Sequence, residues 1–561
     1  MRDKQANRRI RLLLAIFVLV FAGTLARAVW LQGVQASTLG KMAERQHHES
    51  VVIPAGRGTI FDTNGVQLAI GEQTTTVYAN PQQITNARAI AVAAQHILGV
   101  DANQLYPQLL NRKTGFVYVQ RFADATAAAT FLKKGFAGVN GYPEEKRAYP
   151  QGSVASQVVG FAGTDNKGLG GLEVQYDRQL TGKPGKQTIV RDPFGRAIDV
   201  VSATAEKQGR DVITTIDNKI QANAEQVLRD TVAKWHAKSA TAIVLDPHTG
   251  AVLAMAQAPG YNANNSSHVP QSLLTNHAVT DVFEPGSVFK LVTVAGALTD
   301  GLVTPESKFG LPPCIQVADK CIHDAEARGS ETLTVAKILS YSSNVGAITI
   351  AEKLGAPELM KWIGRFGFGK STGLDFPGES VGIVPSYPDQ WSGTTIGNVP
   401  IGQGIAVTPI QIASAYGAIA NGGVWVQPHL AERVGRQAVH GLKHHRVVSP
   451  AVDLELKTML TGVVDEHGAT GNEAQISGYT VAGKTGTAQI PGPHGYTTGK
   501  YVASFVGMVP VKTPRLLVLV SVEEPHDQIY GGVVAAPAFA QIAKFDLQYM
   551  SVPPDAPVTH P

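Results

Sequence analysis

Cysteine is scarce. Two in 561 residues exclude a disulfide-rich scaffold and a four-cysteine zinc site. Charged residues are also few, 16% against a usual ~25%, while apolar residues reach 44%. A mainly disordered or acidic solvating chain is thereby excluded. Neither sign of charge dominates: 48 Lys and Arg against 44 Asp and Glu leave +4. No basic stripe lies outside the N-terminus, so nucleic acid is not an expected partner. Glycine is plentiful, at 58 residues, but has no three-residue period, which excludes collagen. There is no internal repeat and no heptad array. The length points to more than one domain.

Long apolar runs are equally rare. The single one is Leu12–Leu31, behind a basic cluster of Arg2, Lys4, Arg8, Arg9 and Arg11. Twenty residues at 1.5 Å each span about 30 Å, one hydrocarbon core. Arg27 sits one turn from the end, where its stem can snorkel to the headgroups, and Trp30 suits the interface. Ala26-Arg27-Ala28 has the small-x-small form of a signal cleavage site. The run is long for a signal peptide, however, and Arg is poor company for that site. The expected reading is a single-pass anchor with residues 1–11 cytoplasmic and the body extracytoplasmic. In that compartment Cys314 and Cys321 have an oxidising environment. A hairpin turning at Val317-Ala318 would set them directly opposite, as a disulfide or as two thiols.

Residues 36–50 continue with helical spacing. Residues 32–210 then mix short β-like runs such as 116–119, Ala-rich helical runs at 87–98 and 123–133, and glycine-rich punctuation. From Asp211 the pattern is a strand at 212–216, a helix at 219–237, strand-like runs at 241–245 and 251–255, and helices to about residue 425. Strands return at 479–490, 501–510 and 515–523, followed by a helix near 536–548. Strands at both ends with helices between predict an α+β domain, an antiparallel sheet with the last helix packed on it, over 211–550. Four prolines in 551–561 predict a disordered tail.

Three short motifs carry chemistry in this region. They are Ser287-Val288-Phe289-Lys290, Ser342-Ser343-Asn344 and Lys484-Thr485-Gly486-Thr487. Each alone is weak; the ordered set is not. A second Lys-Thr-Gly, at 113–115, lies upstream of the serine and reads as an exposed loop. Glu284-Pro285-Gly286 lets the chain turn into a helix whose first turn holds Ser287, where free N–H groups favour negative charge. Lys290 follows one turn later on the same face. A serine hydroxyl is a poor nucleophile and needs a base beside it, and a lysine whose pKa is lowered serves. Ser342 and Asn344 fall on a turn between helical runs and offer a relay hydroxyl and an amide. Lys484–Thr487 follows an edge-strand pattern. Such a strand pairs with an extended peptide while Thr485 and Thr487 reach a carboxylate, and Gly486 allows close approach. The Ser287 and Thr487 N–H groups would form an oxyanion hole.

These motifs resemble those of the penicillin-recognising serine acyl enzymes. Arg57-Gly58-Thr59-Ile60-Phe61-Asp62-Thr63-Asn64-Gly65 is similar to the first N-terminal motif of class B penicillin-binding proteins, with Thr63 in place of the usual Arg. Arg147-Ala148-Tyr149-Pro150, Gly170–Glu173, Phe366–Gly369, Thr372-Gly373, Pro377–Glu379, Gly402–Gly404 and Thr408-Pro409 extend the likeness over about residues 50–540. The resemblance implies a penicillin-recognising transpeptidase fold behind a pedestal or dimerisation-type N-terminal domain. It implies D,D-transpeptidase activity on peptidoglycan stem peptides, with Ser287 acylated by β-lactams. Ser342–Gly346 is similar to division-type members, whereas elongation-type members more often carry Asp at the place of Asn344. A sporulation-type relative stays open. The implied partners are a SEDS-family glycosyltransferase and division proteins, and no cofactor is implied.

Four rivals remain: a β-lactamase, a D,D-carboxypeptidase, a non-catalytic scaffold and a metal enzyme. No water-activating group can be picked out for the first, and the site is not degenerate as the third requires. His47-His48 and His444-His445 lack ligand partners at metal spacing. Glu284 reads as a helix-start charge, Asp217 and Gln221 as packing, and Asp324 as structural. Tyr501, Ser504 and Phe505 read as sheet core, and Tyr530-Gly531-Gly532 as the cleft rim.

Overall fold

The computed structural model describes residues 2–38, 48–53, 55–191, 197–492 and 495–557. Contacts divide the chain into two units, 1–56 with 182–208, and 57–181 with 209–561.

In the first unit the apolar run forms helix Arg2–Val29, continued by a wider turn over Trp30–Val34. Among the described residues it is the one helix long and apolar enough to cross a membrane. Its apolar side chains are exposed. The helical continuation expected over 36–50 extends through 36–38, while His48–Ile53 is a strand. That strand pairs with Gly185–Arg191, which pairs in turn with Ala197–Thr204. Residues 39–47, with His47, lie outside the described residues.

The second unit begins with a small layer. Strands Gln67–Ala79, Val117–Ala123 and Val139–Ala148 are covered on one face by helices Ala87–Leu98, Ala102–Leu110 and Ala125–Leu132. Asn86, Asp101 and Asp124 cap these helices with side-chain oxygens, which satisfies N–H groups that have no partner inside the helix. The upstream Lys113-Thr114-Gly115 is the loop expected, with Lys113 exposed.

The sequence suggests a boundary at 210/211, but the contacts run through it. Strand Ile60–Phe61 pairs in parallel with Val212–Thr214, and Val212–Thr214 pairs with Ala431–Val434. Segments some 370 residues apart, Ile60 to Ala431, thus share one sheet. Such pairing leaves no mark in local composition.

The catalytic region is named in chain order. Helix α1 (Asn218–Trp235) is capped by Asp217. Strands β1 (Ser239–Leu245) and β2 (Val252–Ala258) follow. Next come helices α2 (Lys290–Thr299), α3 (Val335–Ser340), α4 (Asn344–Leu354) and α5 (Pro409–Ala420). Strands β3 (Ala482–Gly492), β4 (Gly495–Val509) and β5 (Leu516–Glu523) precede helix α6 (Ala536–Tyr549). The sheet order is β2-β1-β5-β4-β3, antiparallel throughout. Helices lie on both faces. On β5, Leu517 and Leu519 enter one core while Leu516, Val518, Val520 and Val522 enter the other with α1 and α6. A strand buried on both faces therefore reads as the unbroken apolar run Leu516–Val520. Every residue of α5 is buried, as a helix apolar on all sides requires. Strand β3 is left as an edge.

The tail departs from expectation. Asp555 accepts hydrogen bonds from the Thr480 N–H and hydroxyl, and Tyr479 Oη donates to the Val552 carbonyl. Residues 552–555 thus brace 479–480, which precede β3 instead of belonging to it. The last four residues, 558–561, lie outside the described residues.

Candidate active site

Gly286 has φ +56°, and a Cβ there would lie 2.9 Å from the Thr487 carbonyl. Only glycine permits that turn and that approach. A 3₁₀ turn over Gly286–Phe289 follows and leads into α2. In a 3₁₀ turn residues three apart stand one above the other, so the Ser287–Lys290 spacing places both on one face. The Ser287 hydroxyl has no hydrogen-bond partner among the described residues. It lines a cleft of about 450 Å³ with Ser342, Asn344, Thr485, Thr487 and Tyr530.

Lys290 is fully buried. Its Nζ donates to the Ser342 carbonyl (2.5 Å) and Asn344 Oδ1 (2.8 Å), with Ser342 Oγ at 3.3 Å. Burial disfavours the ammonium and lowers its pKa to about 7; Asp324 opposes that shift and Arg328 assists it. Lys484 is also fully buried. Its Nζ donates to Ser342 Oγ at 2.9 Å. Burial and then the charge of Lys290 push its pKa well down. One hydroxyl, Ser342 Oγ, therefore stands between two lysines.

Ser342 holds that position in a left-handed conformation, φ +59°. It follows the end of α3, where Ser342 N bonds to the Leu339 carbonyl and Ser343 N to Ile338. Glycine is usual in such a helix stop, and a non-glycine residue there stores strain. Ser343 caps α4. Asp324 Oδ1 receives Ser343 Oγ (3.1 Å), Asn344 N (2.5 Å) and Val345 N (2.9 Å), and the His323 carbonyl receives Asn344 Nδ2 at 3.0 Å.

The Lys-Thr-Gly segment lies on β3, the sheet edge expected from its pattern. Thr485 donates to Thr470 Oγ1 at 2.8 Å, and Thr487 Oγ1 accepts from Gly531 N at 3.1 Å. Gly483 and Gly486 lie against Phe505 and Ser504 of β4. All predicted site residues thus converge, with the lysines beneath the hydroxyls.

The structure corrects several expectations. Tyr501 lines the cleft and is not core, unlike the buried Ser504 and Phe505. Glu284 is not a bare helix-start charge: it accepts from Gly404 N (2.8 Å) and Tyr496 Oη (2.9 Å). Burial raises its pKa. Cys314 and Cys321 are joined as a disulfide, but the hairpin turns at Ala318-Asp319, so Cys314 faces His323 and Cys321 faces Gln316. Sequence reasoning missed Thr470 and Arg328, which line the cleft from distant loops and belong to no motif, and gave no role to Gln403 of the Gly402–Gly404 motif or to Gln489 on β3, which also line it. One group of His, Cys, Asp and Glu among the described residues has metal-ligand proximity: Cys314, Cys321 and His323, within 4.8 Å. Its two sulfurs are bonded to each other. His445 instead bonds the Arg365 carbonyl and packs on Trp425.

Comparison with known proteins agrees with this geometry. Residues 240–544 match the penicillin binding protein transpeptidase domain, and residues 52–214 the penicillin-binding protein dimerisation domain. The peptidoglycan D,D-transpeptidase FtsI of Escherichia coli K12 is 33% identical over 98% of this chain and 93% of its own. The chain belongs to the penicillin-binding protein transpeptidase family. Stage V sporulation protein D of Bacillus subtilis 168 is 31% identical over 99% of this chain and 88% of its own. The crystal structure of penicillin binding protein 3 from Mycobacterium tuberculosis, complexed with aztreonam, superposes with a TM-score of 0.71. It is 30% identical and covers 91% of this chain and 99% of that one.

The family's N-terminal motif residues are structural. Buried Arg57 pairs with Glu173 (2.7 Å) and Asp177 (2.8 Å), and Arg147 with Glu173 (2.6 Å). Asp62 ties the Asn64 and Val66 N–H groups into a turn. At the divergent position, Thr63 contacts Glu432 at 3.3 Å.

Proposed function

We propose that this membrane-anchored protein cross-links peptidoglycan during septal wall synthesis, as a serine D,D-transpeptidase with Ser287 as nucleophile. The placement of Ser342 Oγ between two charge-disfavoured lysines, in the cleft that Ser287 also lines, carries the assignment. A neutral Lys290 has two N–H groups for the Ser342 carbonyl and Asn344, which leaves its lone pair for a hydroxyl. Lys290 takes the proton as Ser287 Oγ attacks the penultimate D-Ala carbonyl of a stem peptide. The Ser287 and Thr487 N–H groups hold the oxyanion. Ser342 and Lys484 pass a proton to the departing D-Ala amine. An amine of a neighbouring stem then displaces Ser287 and closes the cross-link. Thr485 and Thr487 bind the substrate carboxylate, and β3 pairs with the peptide backbone.

Residues 211–550 form the transpeptidase part in this reading, and 32–210 the pedestal. Residues 12–31 span the inner membrane with residues 1–11 in the cytoplasm, because the basic cluster precedes the apolar run. The anchor and pedestal engage a SEDS-family glycosyltransferase and division proteins. The test is intact mass after incubation with benzylpenicillin, for wild type and Ser287→Ala. A stable single adduct on wild type alone supports the reading. Rapid loss of the adduct with penicillin hydrolysis turns it to a β-lactamase, and absence of any adduct to a scaffold.

A further inference from the structure

We propose that the Cys314–Cys321 disulfide is a positioning element for Asn344, so that its redox state sets the rate of Ser287 acylation. The inference rests on the proposed role of Asn344. The cysteines lie in a hairpin of Cys314–Val317 and Lys320–His323, four paired residues a side with no third strand among the described residues. A two-stranded hairpin of that size is marginal in water. Beyond the disulfide it is held by Val317, with Ile315 and Ile322 beside it, packed on Ala347 and Ile348 of α4 and on Ile401.

The end of the hairpin touches the catalytic machinery. His323 offers its carbonyl to Asn344 Nδ2 at 3.0 Å, and Asn344 Oδ1 accepts from Lys290 Nζ at 2.8 Å. An amide has one acceptor end and one donor end of nearly equal size. The His323 carbonyl decides which end meets Lys290. If the hairpin loosens, the amide is free to rotate and present NH₂ to an amine that needs an acceptor. The disulfide joins Cys314, opposite His323, to Cys321, two residues before it. It therefore ties together the end of the hairpin that carries the carbonyl. Cys321 is exposed and Cys314 half-buried, within reach of a dithiol reductant. The exchange balances: the protein disulfide takes two electrons and two protons to become two thiols, and the dithiol becomes a disulfide.

The experiment compares the second-order rate of penicillin acylation for oxidised protein, protein reduced by dithiothreitol with both thiols counted, and reoxidised protein. Reduction is expected to slow acylation roughly five- to tenfold, within the range for one lost intramolecular hydrogen bond. Reoxidation restores the rate. Cys314→Ser/Cys321→Ser matches the reduced protein and ignores dithiothreitol. In Asn344→Ala, already slow, reduction changes nothing further. The pH profile separates positioning from general loosening. Losing the Asn344 acceptor disfavours the Lys290 ammonium and moves the midpoint to lower pH, whereas partial unfolding lowers the rate at every pH alike. An unchanged rate on full reduction of protein that acylates normally when oxidised overturns this inference alone. Failure of the oxidised wild type to acylate overturns the site reading and this inference with it.

Discussion

Ser342 makes the clearest case at the scale of single residues. Its conformation is one that glycine would adopt without strain, yet its hydroxyl meets both lysines. Ser342→Gly is therefore expected to leave the melting temperature unchanged or raised while penicillin acylation falls at least ~10²-fold, the range for a lost proton-transfer group. Lys290 gives a pH signature. Burial holds its pKa near 7, and the free base is the form that accepts a proton. The acylation rate should rise as pH passes about 7 and then level, and Lys290→Arg, whose charge cannot be shed, should abolish it. The Ser–x–x–Lys spacing was legible in the sequence because it is local. The partners His323 and Asp324, at the end of one hairpin, and Thr470, on a distant loop, were not, since they reach the site from segments remote in sequence.

At the scale of elements, the β3 edge depends on its neighbours at two points. A Cβ on Gly402, at φ +77°, would fall 2.1 Å from the Gly286 carbonyl, so Gly402→Ala must displace the nucleophile's turn. Loss of more than ~2 kcal/mol in denaturant titration is expected, with acylation lost in parallel. Truncation after Met550 removes the Asp555 and Val552 contacts to Thr480 and Tyr479. At about 1 kcal/mol per hydrogen bond, roughly 3 kcal/mol should disappear from the unfolding free energy. Helices α1 and α6 and strands β1, β3, β4 and β5 lie close to where periodicity placed them, because each buries a face or two that the pattern marks. The tail was misjudged because proline content reports on local backbone freedom, while Asp555 is held by a partner 75 residues away.

At the scale of the molecule, one buried carboxyl contributes to the pH dependence of stability. Asp546 on α6 is fully buried, and neither carboxyl oxygen has a hydrogen-bond partner among the described residues. Burial, with Asp217 nearby, raises its pKa well above the usual carboxylate range. The folded form keeps a proton that the unfolded chain has lost above about pH 4, so this group makes stability fall as pH rises, by about 1.4 kcal/mol per unit until the folded pKa is reached. Asp546→Asn removes that slope. Thermal melts should show the variant more stable than wild type at pH 8 and the difference shrinking toward pH 4; a gain independent of pH would contradict the assignment.

The sequence by itself determined the long apolar N-terminal helix, the α+β class, the edge strand and the three motifs, because those properties are carried by residues adjacent or one turn apart. Tertiary structure alone decided what the lysines share, which way Asn344 faces, and that residues 57–181 share one contact unit with 209–561. These rest on pairings across hundreds of residues, such as Ile60 with Val212 and Lys484 with Ser342. Their energy comes from burial and hydrogen bonding between distant segments, which no local pattern records.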